Sequence, residues 1–293
     1  MAVSNLTLSR LHKSVLARQN TLKTNWRAQI KQWKSQLFDV GSPAAVIWIF
    51  GCQRSGTTFL ENVFRHDLNS AVFGEFSKLT IGERKTVLSA PAVVKQTVLS
   101  KNSKYAVIRP LFESDRATEL LNLFPNSVGV WLFRECTPVV DSMIRKWGDR
   151  FFEISKHVES DNSQYWRLEK MYQQIRDASK DMPLAELYAR YWIERNRIPF
   201  QEALNADPRM LFLDYRTLVS HPRECIDRIM RTASIKGVWK GCSPNARTSG
   251  LDRAIDSEIS EETLLECSSV YQQLLKIESF NFFKGNNARN CNG

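Results

Sequence analysis

No apolar run in this 293-residue chain approaches ~18 residues, so no membrane-spanning helix is expected. The N-terminus lacks the apolar stretch of a secretory signal, so a signal peptide is not expected either. Histidine is scarce. His12, His66, His157 and His221 form no HxH or HExxH pair, which speaks against a histidine-bound metal. The six cysteines (Cys52, Cys136, Cys225, Cys242, Cys267, Cys291) show no CxxC spacing. That excludes a zinc ribbon or a dense disulfide scaffold and leads to the expectation of a reduced, cytoplasmic compartment. An acid-poor N-terminus leaves an organellar presequence open. Disorder of the whole chain is excluded by 43% hydrophobic and 25% charged residues.

What is present in excess is positive charge, +10 in all. Its distribution matters more than its size. The first 40 residues hold seven Lys/Arg and one acid, Asp39, and the remainder is nearly balanced. The main body therefore does not read as a nucleic-acid surface. Residues 6–38 place Leu8, Leu11, Val15, Leu22, Trp26, Ile30, Trp33 and Leu37 at helical spacing opposite a basic face. A helix docked on the domain is the plain reading, and a membrane-surface helix is the sharper one. The organisation expected is a basic amphipathic helix over 1–40, one α/β domain over 41–285, and a tail over 286–293.

Short apolar runs at 44–50, 70–74, 104–110, 127–133 and 209–215 read as strands. Helical patterns lie between or after them: after residue 56, over 77–101 with a break at Pro91, and over 114–124, 184–204, 222–233 and 258–276. Pro138 suits the first turn of a further helix. Such alternation predicts a central parallel sheet flanked by helices on both faces. Residues 150–183 and the 237–253 loop carry no clear pattern.

Two segments carry chemistry. In "VIWIFGCQRSGTTFLENVF" an apolar strand runs into a loop with Gly51 and Gly56 five apart, then into a helix opened by Thr57 and Thr58. Backbone N–H groups and the positive end of a helix make such a turn an anion cradle of the P-loop type. The lysine that a nucleoside triphosphatase needs is missing: Thr57 follows Gly56, and the cation is Arg54 inside the loop. A P-loop kinase or ATPase is therefore the weaker alternative, and a silent nucleotide- or membrane-binding module is another. The second segment, "VWLFRECTPVVDSMIRKWGD", ends a strand at Arg134, with Ser142 eight residues on and Lys146 one helical turn beyond. Arginine offers a fork for phosphate and serine a donor. A solvated surface arginine and serine is about equally plausible from this pattern alone. Arg54, Glu75, Arg109, Arg134 and Tyr215 each fall at or just past the carboxyl end of an expected strand, the edge where open parallel sheets bind ligands.

These segments resemble the 5′-phosphosulfate loop and the 3′-phosphate motif of sulfotransferases that use 3′-phosphoadenosine 5′-phosphosulfate (PAPS). "FLDYRTLVSHPRECIDRIM" resembles that family's later tyrosine-bearing strand and helix, and the likeness spans roughly residues 45–235. Arg54 to Thr58, Gly74-Glu75 and Arg109-Pro110 are most similar to the tyrosylprotein and bacterial-type branch. Leu111 stands where the small-molecule branch carries its histidine, and Arg109 where lysine is commoner.

The resemblance implies sulfuryl transfer from PAPS, without a metal, to a hydroxyl or amine on a carbohydrate, small molecule, lipid or peptide. Glu75 would be the base, and Arg54 and Arg109 would steady developing charge. Arg54, Ser55, Gly56, Thr57, Thr58, Arg134, Ser142, Lys146 and Tyr215 would hold the nucleotide, and Phe59 would wall the adenine. Arg247 and Arg253 are weaker candidates for closing over it. Apart from the resemblance, "MLFLD" could mimic a Mg²⁺-binding strand with Asp214, a reading that the missing loop lysine weakens. Cys52 reads as a packing residue.

Overall fold

The computed structural model describes residues 41–81, 87–148, 182–236, 239 and 259–283, together with Ile30 and Trp33. The expectations for 150–181, for most of the 237–253 loop, for Arg247 and Arg253, and for the tail lie outside these residues. So does the basic helix of 1–40, apart from Ile30 and Trp33. Both are helical, and Trp33, counted on the apolar face, is 65% exposed.

Five strands form one parallel sheet: β1 (Val46–Gly51), β2 (Ser70–Phe73), β5 (Tyr105–Ile108), β6 (Ser127–Phe133) and β7 (Met210–Asp214), in the order β2-β5-β1-β6-β7. Every pairing is parallel, so all five carboxyl ends lie along the same edge. The strands read as unbroken apolar runs because both faces are covered. Val46, Trp48 and Phe50 point to one face, where Trp131, Phe133 and Phe212 join them, and Ile47 and Ile49 point to the other with Val130, Leu132 and Leu213.

The first face is packed by α2 (Pro91–Leu99), α3 (Ala117–Leu121), α4 (Cys136–Trp147), α5 (Leu184–Gln201) and α8 (Glu261–Phe283). The second is packed by α1 (Thr57–Arg65), α6 (Tyr215–Ser220) and α7 (Pro222–Thr232). This is the flanked parallel sheet that the sequence pattern predicts.

The local differences have physical causes. Residues 77–101 are not one broken helix. Thr80–Ile81 (β3) and Val87–Leu88 (β4) pair antiparallel, and Pro91 opens α2 rather than interrupting it. At the first helical position its missing N–H costs nothing. Residues Leu111–Arg116 form a 3₁₀ turn before α3, so the helix expected over 114–124 is shorter. Tyr215 leaves the strand and begins α6, a helix too short to show a period in sequence. The helix expected to reach 204 stops at Gln201 and continues as a 3₁₀ turn over Leu204–Ala206.

Candidate active site at the strand edge

The loop between β1 and α1 is shaped by residues that tolerate an unusual backbone. Gly56 is the N-cap of α1, with φ +98°. A Cβ there would sit 2.3 Å from Cδ2 of Tyr215, so only glycine admits this close approach of the tyrosine ring. Arg54 takes φ +67°, a strained setting for a side chain and one that recurs at functional sites. No side chain caps α1. Within the described residues the N–H groups of Gly56, Thr57 and Thr58 donate no hydrogen bond, while Gly56 O accepts from Phe59 and Leu60 N–H at 2.8 and 3.2 Å. A nine-residue helix thus presents open donors and its positive end toward this loop.

Side chains from two strand ends and α4 meet the loop. Arg54 Nε donates to Ser142 Oγ at 3.0 Å, joining the loop to α4. Its guanidinium lies 6.0 Å from the Trp147 ring. Arg134, just past β6, lies over the Tyr215 ring at 4.8 Å, and Phe59 meets the same ring edge-on at 6.2 Å. Burial lowers the pKa of Arg54, with the charge of Arg145 adding to it. Burial likewise lowers that of Arg134, and Arg54 is among the charges that act on it. Arg54, exposed in the loop, and Arg134, half-buried past β6, thus bring two like charges to bear on the same strand edge, an arrangement that suits an anion.

The sequence segments thus converge, with one exception. Lys146 is exposed on α4, and among the described residues no hydrogen bond or ion pair ties it to the cluster. Ser55 and Thr57 are buried and Thr58 is exposed. Ser55 Oγ and Gln53 Nε2 are buried without a hydrogen-bond partner among the described residues. Orphaned polar atoms of this kind cost about 1–3 kcal/mol each, so a fold keeps them where a ligand can satisfy them.

The acidic side of the site holds a residue that the motifs do not reveal. Glu61, on α1, is buried and accepts from Arg65 and, at 2.5 Å, from Arg109 Nε. Arg109 reaches Glu75 Oε2 with its second nitrogen at 3.3 Å. Gly74 makes room for this arrangement, since a Cβ there would lie 2.6 Å from Glu61 Oε1. Arg109 is therefore a buried residue shared by two carboxylates.

Glu75 Oε1 is buried with no hydrogen-bond partner among the described residues. Arginine charge alone would hold this carboxyl ionised. Instead its pKa is raised, because burial outweighs the neighbouring Arg109 and Glu61 adds to the rise.

A second group that sequence reasoning passes over is the face of α5 behind the loop. Tyr191 OH donates to Gln53 Oε1, and Trp192 Nε1 donates to Arg134 O at 3.0 Å. Arg195, fully buried, donates to Gly51 O at 3.3 Å and Phe112 O at 3.4 Å. A helical period identifies α5 as buried but does not say that its polar tips hold the loop.

Asp214, the candidate Mg²⁺ ligand, turns away from the loop toward α8. Its Oδ2 accepts from Tyr271 OH at 3.2 Å, and its backbone N–H donates to Glu278 Oε1 at 3.0 Å. Burial pushes Asp214 up to about 6 and Glu278 up to about 7, and the proximity of the two acids adds to the latter. Both folded-state values exceed the unfolded ones, so the folded chain binds more protons between about pH 4 and 7. Stability should fall as pH rises through that window. Glu278→Gln keeps the acceptor for the Asp214 N–H and removes the buried charge. It should stabilise the fold by about 1–3 kcal/mol at pH 8 and leave it nearly unchanged at pH 4. Thermal melts at the two pH values check this, and equal shifts at both would refute it.

No protein-family model matches the chain, and no curated protein matches it. Among solved structures, it is similar to the sulfotransferase domain of the Synechococcus PCC 7002 olefin synthase, with 13% identity and a TM-score of 0.45 over 80% of this chain and 97% of that one. The sulfotransferase domain of the curacin biosynthetic pathway gives 15% and 0.44 over 80% and 98%. Mouse sulfotransferase SULT7A1 complexed with PAP gives 10% and 0.39 over 83% and 89%. At this level of likeness, the chemistry of the site has to be read from the chain's own residues.

Proposed function

We propose that this protein is a sulfotransferase that moves a sulfuryl group from PAPS to a hydroxyl or amine. The observation that carries the reading is the meeting of Arg54, Arg134 and Ser142 at the open N-terminus of α1, in a P-loop-type turn without the loop lysine of an NTPase. The residues present suit the donor. The free N–H groups of Gly56, Thr57 and Thr58 and the orphaned Ser55 hydroxyl would take the 5′ anion. Arg134 and Ser142, with Lys146 reaching in from solvent, would take the 3′-phosphate, a group that ATP lacks. Phe59, half-buried beside Tyr215, offers a ring face for the adenine.

The donor supplies an activated sulfuryl group, and the chain supplies the rest. Glu75 accepts the proton of the attacking hydroxyl or amine as the new bond to sulfur forms. Arg54 steadies the negative charge that collects on the leaving 5′-phosphate oxygen. Arg109 positions Glu75, itself held by Glu61.

Adenosine 3′,5′-bisphosphate (PAP), the desulfated product, should stabilise the protein by about 2.7 kcal/mol at a hundredfold excess over its Kd. ATP with Mg²⁺ should do much less. Equal or greater stabilisation by ATP–Mg²⁺ would favour a kinase. Transfer of labelled sulfate from PAPS across sugars, phenols, lipids and peptides then identifies the acceptor.

A further inference from the structure

Two thiols that the site does not use face each other between α4 and α8. Cys136 is the first residue of α4, two positions after Arg134, and Cys267 lies early in α8. Their sulfurs are 2.9 Å apart, and the residues are 4% and 3% exposed within the same core cluster. Nothing in the proposed chemistry needs a thiol at either position.

We propose that Cys136 and Cys267 are the partners of a disulfide formed when the chain folds under oxidising conditions, covalently tying the start of α4 to α8. A disulfide brings its sulfurs to about 2.0 Å, so closure asks for a convergence of roughly 1 Å between side chains that already meet. The residues are 131 positions apart, so the bond would close a long loop, the case in which such a link restricts the unfolded chain most. Its place is also mechanically apt. Cys136 follows the Arg134 strand end, and α8 holds the strand end before Tyr215 through Tyr271 and Glu278.

Burial, reinforced by Cys267, holds the Cys136 thiol well above the ordinary range, so in the finished fold it is a poor nucleophile. The bond therefore forms on the exposed chain during folding. One cysteine thiolate attacks oxidised glutathione, the oxidant's S–S bond breaks, and one glutathione leaves as thiolate. The second cysteine thiolate attacks the mixed disulfide and releases the other glutathione. Two protein thiols lose two electrons, and one oxidised glutathione becomes two reduced molecules, which take up the two protons.

Cys52, buried in the same core cluster, is the rival partner. The full chain, denatured and reduced, is refolded with a reduced and oxidised glutathione couple, alkylated, and digested without reduction for mass spectrometry. The expected result is a linked peptide pair joining Cys136 to Cys267, lost on reduction. The oxidised protein should melt several degrees above its reduced twin, and this difference should vanish in Cys267→Ser. Peptide mapping of the wild-type chain needs no variant, so it stands even if Cys267→Ser fails to fold. Full alkylation of both cysteines after oxidative refolding, or a Cys52–Cys136 pair in place of the expected one, would overturn the proposal.

Discussion

Replacing Glu75 by Gln should cut turnover by about 10²–10⁴ while leaving the fold and PAP affinity intact. Gln keeps the size of the side chain and a contact to Arg109 but cannot take up a proton. Glu75 Oε1 has no hydrogen-bond partner among the described residues, so it is the oxygen available to an acceptor, whereas Oε2 faces Arg109. Burial raises the carboxyl's pKa, and a more basic carboxylate is a better proton acceptor at neutral pH. As the proposed base Glu75 acts in its charged form, so activity should fall as pH drops through a value above the ordinary carboxylate range. In the Gln variant that acidic limb should disappear from whatever rate remains. A carboxylate that only supports the turn after β2 would behave differently. Its loss would cost about 1–2 kcal/mol of stability and leave turnover and its pH profile near normal. That outcome would remove Glu75 from the mechanism.

The strand edge was legible because of how this sheet is buried. Strands covered on both faces appear as continuous apolar runs, so the first polar residue after each run marks a carboxyl end. Arg109 and Arg134 follow β5 and β6 directly, and Glu75 follows β2 after one glycine. The parallel pairing of all five strands then gathers these residues along a single edge. The order β2-β5-β1-β6-β7 is a property of long-range pairing that no local pattern carries.

Glu61 and Arg195 were hidden for a related reason. A carboxylate or guanidinium on a helix reads as a solvated face, and only a tertiary partner makes its burial tolerable. Glu61 is buried because Arg65 and Arg109 neutralise it and Gly74 leaves it space. Arg195 is buried because Gly51 and Phe112 offer carbonyl oxygens. The partners of Arg109 were hidden in the same way. Its position after β5 is correct, but the two acids that engage it come from α1 and from the turn after β2. The β3–β4 hairpin escaped because two-residue strands are too short to show alternation.

Arg54→Ala should lower kcat by two orders of magnitude or more with a smaller loss of PAPS affinity. The loop already offers N–H groups and a helix end to the ground-state anion, so removing one guanidinium leaves much of the binding. The charge that grows on the leaving oxygen exists only as the bond to sulfur breaks. A preorganised donor aimed there is worth about 10²–10³ in rate. The geometry supports such a role: Arg54 sits in the loop at φ +67°, its Nε is fixed by Ser142 at 3.0 Å, and its guanidinium is steadied beside Trp147. Ser142→Ala should give a milder kcat defect, because it frees the arginine without removing it, together with a loss of PAPS affinity from the proposed 3′-phosphate contact. The strained backbone adds a second readout. Arg54→Gly should relieve the φ penalty and match or exceed the wild-type thermal midpoint, yet be as slow as Arg54→Ala. Steady-state rates over a range of PAPS concentrations separate the effects on kcat and KM. If either variant kept its kcat and changed only KM, Arg54 would be a binding residue and the leaving oxygen would need another donor.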